Sequence, residues 1–277
     1  MNKDEVTVAR RQLGRRLKAL REEAHISMAQ VQTGKYASTT KLWRMESGLV
    51  PIKIGDVLAL ARLYGLSGET TNQLAAMAEA SDQSGCWQEH DVGRPLGFHL
   101  FLGLESTASR ISSYESETLP GLLQTRDSLA LSAPSALTAD DSPEQIPDVV
   151  EFHLERQRQV FDRSEAPAVT MVLNAAVLAR LVGDEQVIAD QREHLLWLDR
   201  LERVRIGVLP WTVDLQAVLL GTFRMCEFDD PATDPTVVYH EFIGGRLYLE
   251  KASQVLRYRE AFDRLWEASV PLEDYSQ

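Results

Sequence analysis

Cysteine is scarce in this chain. Of 277 residues only Cys86 and Cys226 are cysteines, far apart and with no CxxC or Cys/His companion nearby. A disulfide framework is thereby excluded and no structural zinc site is signalled. Long apolar runs are lacking as well. No stretch approaches the roughly 18–20 uncharged apolar residues that span a bilayer, and the N-terminal MNKDEVTVARRQLGRR has no apolar signal-peptide core. The expectation is a cytoplasmic protein without a membrane partner. Internal repeats and low-complexity tracts are absent. With 44% hydrophobic, 25% charged and 7% aromatic residues, the composition excludes collagen-like and disordered classes. The length suffices for two domains of roughly 100–200 residues, each with its own core.

Positive charge is the minority sign, and a net charge of −12 argues at first against nucleic acid. The average hides an asymmetry. Residues 1–66 carry twelve Lys and Arg against six Asp and Glu, a balance of +6, whereas the remainder carries 17 against 35, a balance of −18. A basic segment appended to an acidic body points to a nucleic-acid-binding module.

The hydrophobic periodicity divides the chain into an all-α N-terminal domain over residues 1–80, a linker over 81–95 and an α+β domain over 96–277. Five short helices are predicted in the first part: Val8 to about Ala24, with Leu13, Leu17 and Leu20 inward; Ser27 to Thr33; Ser38 to Glu46, stopped by Gly48; Ile54 to Tyr64, stopped by Gly65; and Glu69 to Ala80. The linker SDQSGCWQEHDVGRP loses all periodicity. Beyond it, helices are predicted over 96–112, 142–161, 184–201 and 251–268. Strands are predicted over 168–173, 204–209, 221–228, 237–242 and 247–249. Their alternation predicts an α+β sandwich.

Within the basic segment, ISMAQVQTGKYASTTKLWRMESG (26–48) reads as two helices of about two turns joined by a tight turn. The second buries Leu42 and Met45 and leaves Thr39, Thr40, Trp43 and Arg44 outward. A short helix presenting such groups suits a major groove roughly 12 Å wide. The segment resembles the lambda-repressor-like helix-turn-helix of the Xre family, whose positions Val31, Leu42, Met45, Glu46 and Gly48 occupy. The resemblance implies base reading by Thr39, Thr40, Trp43 and Arg44, and a structural ion pair between Arg21 and Glu46. Two positions depart from the family. The turn residue that is often Gly is Tyr36, with Gly34 two residues earlier, which predicts an altered turn. The residue opening the second helix, often a phosphate-contacting Gln, is Met28. Phosphate binding then falls to Arg10, Arg11, Ser27, Lys35, Ser38, Lys41 and the N–H groups at helix starts. The alternative is a helical bundle that binds no DNA, its basic residues merely solvated.

The second domain resembles the C-terminal domain of unknown function found behind such a helix-turn-helix in many actinomycete regulators. The blocks that carry the likeness are YESETLPGLLQT (114–125), Arg156-Gln157, VLNAAVL (172–178), HLLWLDRLERVRIGVLPW (194–211), LLGTFRMCEFDD (219–230) and VVYHE (237–241). The resemblance implies an antitoxin-like regulator, a homodimer on a palindromic operator in double-stranded DNA, and a small partner protein encoded nearby. No catalytic residues, metal ligands or cofactor motif emerge. His240-Glu241 imitates an acid/base pair but reads as an ordinary strand end, and Cys226 reads as core. The chain is therefore read as a binding protein and not an enzyme. Candidate residues of a ligand or partner site are His153 and Gln157, polar on an otherwise apolar helix face, with Trp211 and Glu241. Satisfaction of the first two by backbone carbonyls stands as the alternative. A small-molecule effector stands beside the partner protein as the signal, and an enzyme carrying an autoregulatory module is the third alternative.

Overall fold

The computed structural model of the chain describes residues 8–81, 87–89, 96–136, 143–213, 221–232, 234–242 and 245–275. Helices α1 (Val8–Glu23), α2 (Met28–Thr33), α3 (Thr39–Glu46), α4 (Ile54–Tyr64) and α5 (Gly68–Ser81) precede β1 (Trp87–Glu89) and α6 (Leu96–Thr107). There follow β2 (Arg110–Glu115), α7 (Arg126–Ser132), α8 (Ile146–Phe161), β3 (Ala168–Asn174), α9 (Ala175–Ala179) and α10 (Glu185–Asp199). The chain continues through β4 (Val204–Leu209), β5 (Phe223–Glu227), β6 (Val237–Phe242), β7 (Gly245–Leu249), α11 (Ala252–Ala268) and β8 (Val270–Pro271). The fold is all-α at the N-terminal end and α+β beyond it. Two compact units result, one of Met1–Leu104 with Glu241–Glu250, the other of Glu105–His240 with Lys251–Gln277.

In the first unit the apolar stripe of α1 (Leu13, Leu17, Leu20) meets Val31, Leu42, Met45, Val57, Leu60, Tyr64 and Leu74 in one core. Burial of such side chains contributes about 1.5–3 kcal/mol each, which offsets the weakness of helices too short to stand alone. The first four helices end alike. A left-handed residue follows each helix: His25 (φ 56°), Lys35 (60°), Gly48 (68°) and Gly65 (70°). The next N–H then bonds a carbonyl five residues back: Ile26 to Arg21 at 3.0 Å, Tyr36 to Val31 at 3.2 Å, Leu49 to Arg44 at 2.8 Å and Leu66 to Ala61 at 3.0 Å. These are Schellman ends.

This unit reaches beyond residue 80. Strand β1 lies inside the expected linker and pairs antiparallel with β7, Trp87 opposite Tyr248 and Glu89 opposite Arg246. Residues 82–86 and 90–95 of that linker lie outside the described residues. Glu250, just after β7, accepts from the Val8 backbone N–H at 3.0 Å and from Arg11 Nη2 at 2.9 Å.

The strands of the second unit run in the order β6-β5-β2-β3-β4-β8. Strands β2, β3 and β4 are parallel, with Ser113 beside Met171 and Met171 beside Ile206. Antiparallel neighbours flank them, β5 on β2, β6 on β5 and β8 on β4. Strand β2 corrects the expectation of a helix over 96–112, because α6 stops at Thr107. RISSYE is buried at every position after Arg110, so a strand covered on both faces shows no alternation to read. Arg163 marks the change of direction by donating to the carbonyls of Ser106 and Ala108. Helix α11 packs on β2 and β4, and α10 also on β4.

A buried ion pair ties α6 to α8. Arg156 Nε and Nη2 donate to the two Glu105 carboxylate oxygens at 2.5 and 2.6 Å, both side chains being almost fully buried. Removing one partner leaves the other charged and unmatched, which costs about 3–5 kcal/mol, whereas an apolar replacement of both is close to neutral. Arg156→Met is therefore expected to lower the unfolding free energy by about 3–5 kcal/mol. Glu105→Leu/Arg156→Met is expected to recover most of it, as read by urea denaturation. Equal losses in the single and double variants would contradict this account.

Candidate nucleic-acid interface

The two helices of the expected motif are set by their caps. Ser27 opens α2 through a capping box, accepting from Gln30 N at 3.3 Å while its own N–H donates to Gln30 Oε1 at 2.8 Å. Ser38 opens α3 by accepting from Lys41 N at 3.1 Å. Between them the left-handed backbone falls on Lys35, not on Gly34 or Tyr36. Gly34 serves packing instead. A Cβ there would lie 2.7 Å from the Tyr36 ring, so its lack of a side chain lets that ring fold down. Tyr36 and Met28 are both half-buried against the core, which is why neither follows the family pattern.

Helix α3 is held from behind. Arg21 Nε and Nη2 donate to Glu46 Oε1 and Oε2 at 2.7 and 3.0 Å, and Arg21 Nη1 donates to the Ile26 carbonyl at 2.8 Å. The hydrogen bond to Glu46 raises the Arg21 pKa, against the opposing effect of burial. Burial, reinforced by the Glu46 charge, pushes the neighbouring Tyr64 phenol well above its ordinary value. Close packing completes the joint. A Cβ on Gly14 would lie 2.4 Å from the Met45 carbonyl oxygen, and one on Gly48 would lie 2.8 Å from the Arg11 Cα. The middle of α1 therefore abuts the C-terminal end of α3, and the Ser38 end lies about 12 Å further along at roughly 1.5 Å per residue.

That geometry decides where the candidate residues stand. Thr40, Lys41, Trp43 and Arg44 are exposed along α3 and Thr39 is half-buried; Lys35 and Ser38 are exposed in the turn before it. Trp43 is 52% exposed, one of several large apolar side chains left in solvent. Arg10 and Arg11 are corrected. Both are buried, at 4% and 7% exposure. They lie at the wrong end of α3, with Arg11 on Glu250, so they are not phosphate contacts on this face. Ser27 is exposed, and its hydroxyl donates to Gln30 Oε1 at 2.8 Å within the cap. Lys41 is engaged within the unit, its ammonium 2.6 Å from Asp56 Oδ1 on α4. One cation escaped the sequence reading. Lys53 is exposed at the start of α4, which has no side-chain cap, and no Ser, Thr, Asp or Asn announces that start.

Of the four candidate residues of the second domain, His153 and Gln157 meet the same turn, residues 121–124. Gln157 Nε2 donates to the Gly121 and Gln124 carbonyls at 2.7 and 2.8 Å. Its polarity on the apolar face of α8 is thus satisfied by backbone. Two more glutamines hold the same segment: Gln191 Nε2 donates to Leu123 O at 2.8 Å, and Gln124 Nε2 to Leu119 O at 2.6 Å. His153 packs against the same turn, where a Cβ on Gly121 would sit 2.5 Å from its Nδ1. Trp211 is 68% exposed beyond the end of β4, and the apolar loop expected after it falls largely on 214–220, outside the described residues. Glu241 pairs with Arg246 at 3.1 Å. His240 Nδ1 lies 3.1 Å from the Thr222 carbonyl oxygen, and burial lowers the His240 pKa. Cys226 is fully buried in β5, its thiol pushed up by desolvation. Among the described residues no three His, Cys, Asp or Glu side chains gather where a metal ion could be held, and no helix is long and apolar enough to cross a membrane.

A family model described as a domain of unknown function, DUF5753, matches residues 98–274, well over half of the chain. The chain belongs to the DUF5753 family. Ahead of the DUF5753 domain, a helix-turn-helix domain model matches residues 12–74. That match takes in all of α2, α3 and α4 and marks the N-terminal unit as a DNA-binding domain of the kind regulators carry. No curated protein and no solved structure matches. His153, Gln157, Trp211 and Glu241 all fall within the DUF5753 domain.

The left-handed Lys35 generates a prediction. A side chain in that conformation is strained and glycine is not. Lys35→Gly is expected to raise stability by about 0.5–1 kcal/mol in thermal or urea unfolding, while Lys35→Ala, which keeps the Cβ, gains nothing. A gain from the alanine variant equal to that from glycine would show that charge, not backbone, is responsible.

Proposed function

We propose that this DUF5753 protein is a dimeric, sequence-specific transcriptional regulator of the Xre, antitoxin-like type. In this reading Thr39, Thr40, Trp43 and Arg44 read base edges. Lys35, Ser38, Lys41 and Lys53, with the N–H groups at the start of α3, hold phosphates. The observation that supports it most is α3 itself: capped at its outer end, clamped by Arg21 at its inner end, and carrying Thr40, Trp43 and Arg44 exposed with Thr39 half-buried beside them. A homodimer would set two such helices roughly 34 Å apart, one DNA turn, and so favour a palindromic operator. Such a protein acts by binding and not by catalysis, in the cytoplasm.

The signal is proposed to reach the DUF5753 domain as a small partner protein encoded nearby, for which the −18 balance of residues 67–277 gives complementarity to a basic surface. One observation favours a small-molecule effector instead. A cavity of about 150 Å³ is lined by Leu178, Arg192, Leu195, Leu196, Leu272, Glu273 and Tyr275. It joins an apolar wall to a few charged groups, though it is smaller than the roughly 300 Å³ at which drug-sized sites begin. Co-purification with the product of the adjacent reading frame supports the first. A rise in unfolding free energy of about 2.7 kcal/mol with a metabolite at about 100 times its dissociation constant supports the second.

DNA binding is tested on the region upstream of the protein's own reading frame by fluorescence anisotropy across a salt series. Thr40→Ala or Arg44→Ala is expected to cost about 1–3 kcal/mol on the operator with little change on random sequence. Lys53→Ala is expected to weaken both alike. Absence of binding at low salt, or binding indifferent to salt, refutes the assignment.

A further inference from the structure

Between Ser27 and Leu58 the chain carries four cationic residues, Lys35, Lys41, Arg44 and Lys53, and two carboxylates, Glu46 and Asp56. Glu46 is buried on Arg21. Asp56 is therefore the one carboxylate of this segment left to act on its exposed cations, and it holds Lys41 at 2.6 Å. The two partners differ in mobility. Asp56 stands in the first turn of α4, its side chain four-fifths covered, where the helix N-terminus favours a negative charge. Lys41 has its backbone fixed by Ser38, but its ammonium rides on a four-carbon stem and its side chain is 47% exposed. A pair this open to solvent is weak and exchangeable, and the partner that moves is Lys41.

We propose that Asp56 is a counter-charge built into the DNA-reading face, a positioning residue that withholds Lys41 from the phosphates of non-specific DNA and releases it only when α3 docks on its operator. The inference rests on the DNA-binding reading above and adds to it a source of discrimination. Non-specific affinity comes almost wholly from cations on phosphates, so a cation occupied by an internal carboxylate lowers that background. In the docked complex the groove fixes phosphates beside α3, and these displace the carboxylate. The competing explanation is purely local: Asp56 neutralises a lysine that sits unfavourably in the first turn of α3, with no consequence for DNA.

Full-length protein is titrated against a random-sequence duplex of about 30 base pairs at several salt concentrations, with thermal unfolding followed in parallel. Asp56→Asn is expected to bind that duplex roughly three- to tenfold more tightly near 0.1 M salt, and the log–log salt slope is expected to steepen by about 0.9, one added phosphate contact. Asp56→Ser is expected to do the same, which guards against a fault peculiar to one substitution. In a Lys41→Met background the gain from Asp56→Asn is expected to vanish. An unchanged slope in Asp56→Asn overturns the proposal in favour of the local explanation. A gain that persists without Lys41 overturns it in favour of general charge. Wild-type protein that binds no duplex at low salt fails the DNA-binding reading itself, a result distinct from either.

Discussion

The bidentate pair between Arg21 and Glu46 is the joint on which the N-terminal unit depends. Helix α3 has eight residues, too few to hold its shape or its direction alone. One guanidinium binds the carboxylate at the end of α3 and the carbonyl of Ile26 in the turn after α1, so a single side chain fixes three segments. Because both ionic partners are buried, the pair is a poor source of net stability, yet loss of either partner leaves an unmatched charge inside the core. It acts as a device of orientation. With the inner end of α3 held by Arg21 and pressed against the bare surface of Gly14, its outer end and its exposed flank remain accessible.

How far this was legible from sequence depends on the kind of signal. The helices and their core residues follow from spacing, and Gly48 and Gly65 announce their left-handed turns because glycine adopts that conformation without strain. His25 and Lys35 adopt the same conformation without any such sign, and the apparent irregularity at Gly34 and Tyr36 is one of position, since the left-handed residue falls between them. Strand β2 was hidden by complete burial: Ser112 and Ser113 are as inaccessible as Ile111 and Tyr114, so the alternation that betrays a half-exposed strand is absent. Arg10 and Arg11 looked like phosphate ligands because charge is visible in a sequence and position is not. Which end of α3 they approach is decided by the contacts of Gly14 and Gly48, two residues without side chains.

In the second domain amides join the buried pair of Glu105 and Arg156 in holding segments together. Gln124, Gln157 and Gln191 come from three separate stretches of sequence and converge on the carbonyls of one segment, Leu119 to Gln124. Gln157, seen on its own helix, is a polar interruption of an otherwise apolar face, which invites reading as a binding site. Seen together, the three glutamines are the means by which a buried irregular segment satisfies its backbone, a requirement as strict as any imposed by a ligand. The block LPGLLQT is thus explained by its own hydrogen bonding.

The charge asymmetry changes meaning once burial is known. Arg10, Arg11 and Arg21 are buried and Arg15 half-buried, so a good part of the basic excess of residues 1–66 is consumed inside the unit or turned away from the outer end of α3. The reading face itself offers Lys35, Lys41, Arg44 and Lys53, with Asp56 against them. In the proposed reading, so few cations leave electrostatic attraction weak at physiological salt. In the proposed dimer, binding would rely on oriented N–H groups at capped helix starts, on side chains that touch bases, and on the gain from linking two weak readers in one molecule, where the second docking becomes intramolecular. In that proposed dimer, modest charge on each subunit would make the linkage decisive. Two strongly cationic readers would hold any duplex singly, whereas two weak ones hold only the sequence that satisfies both.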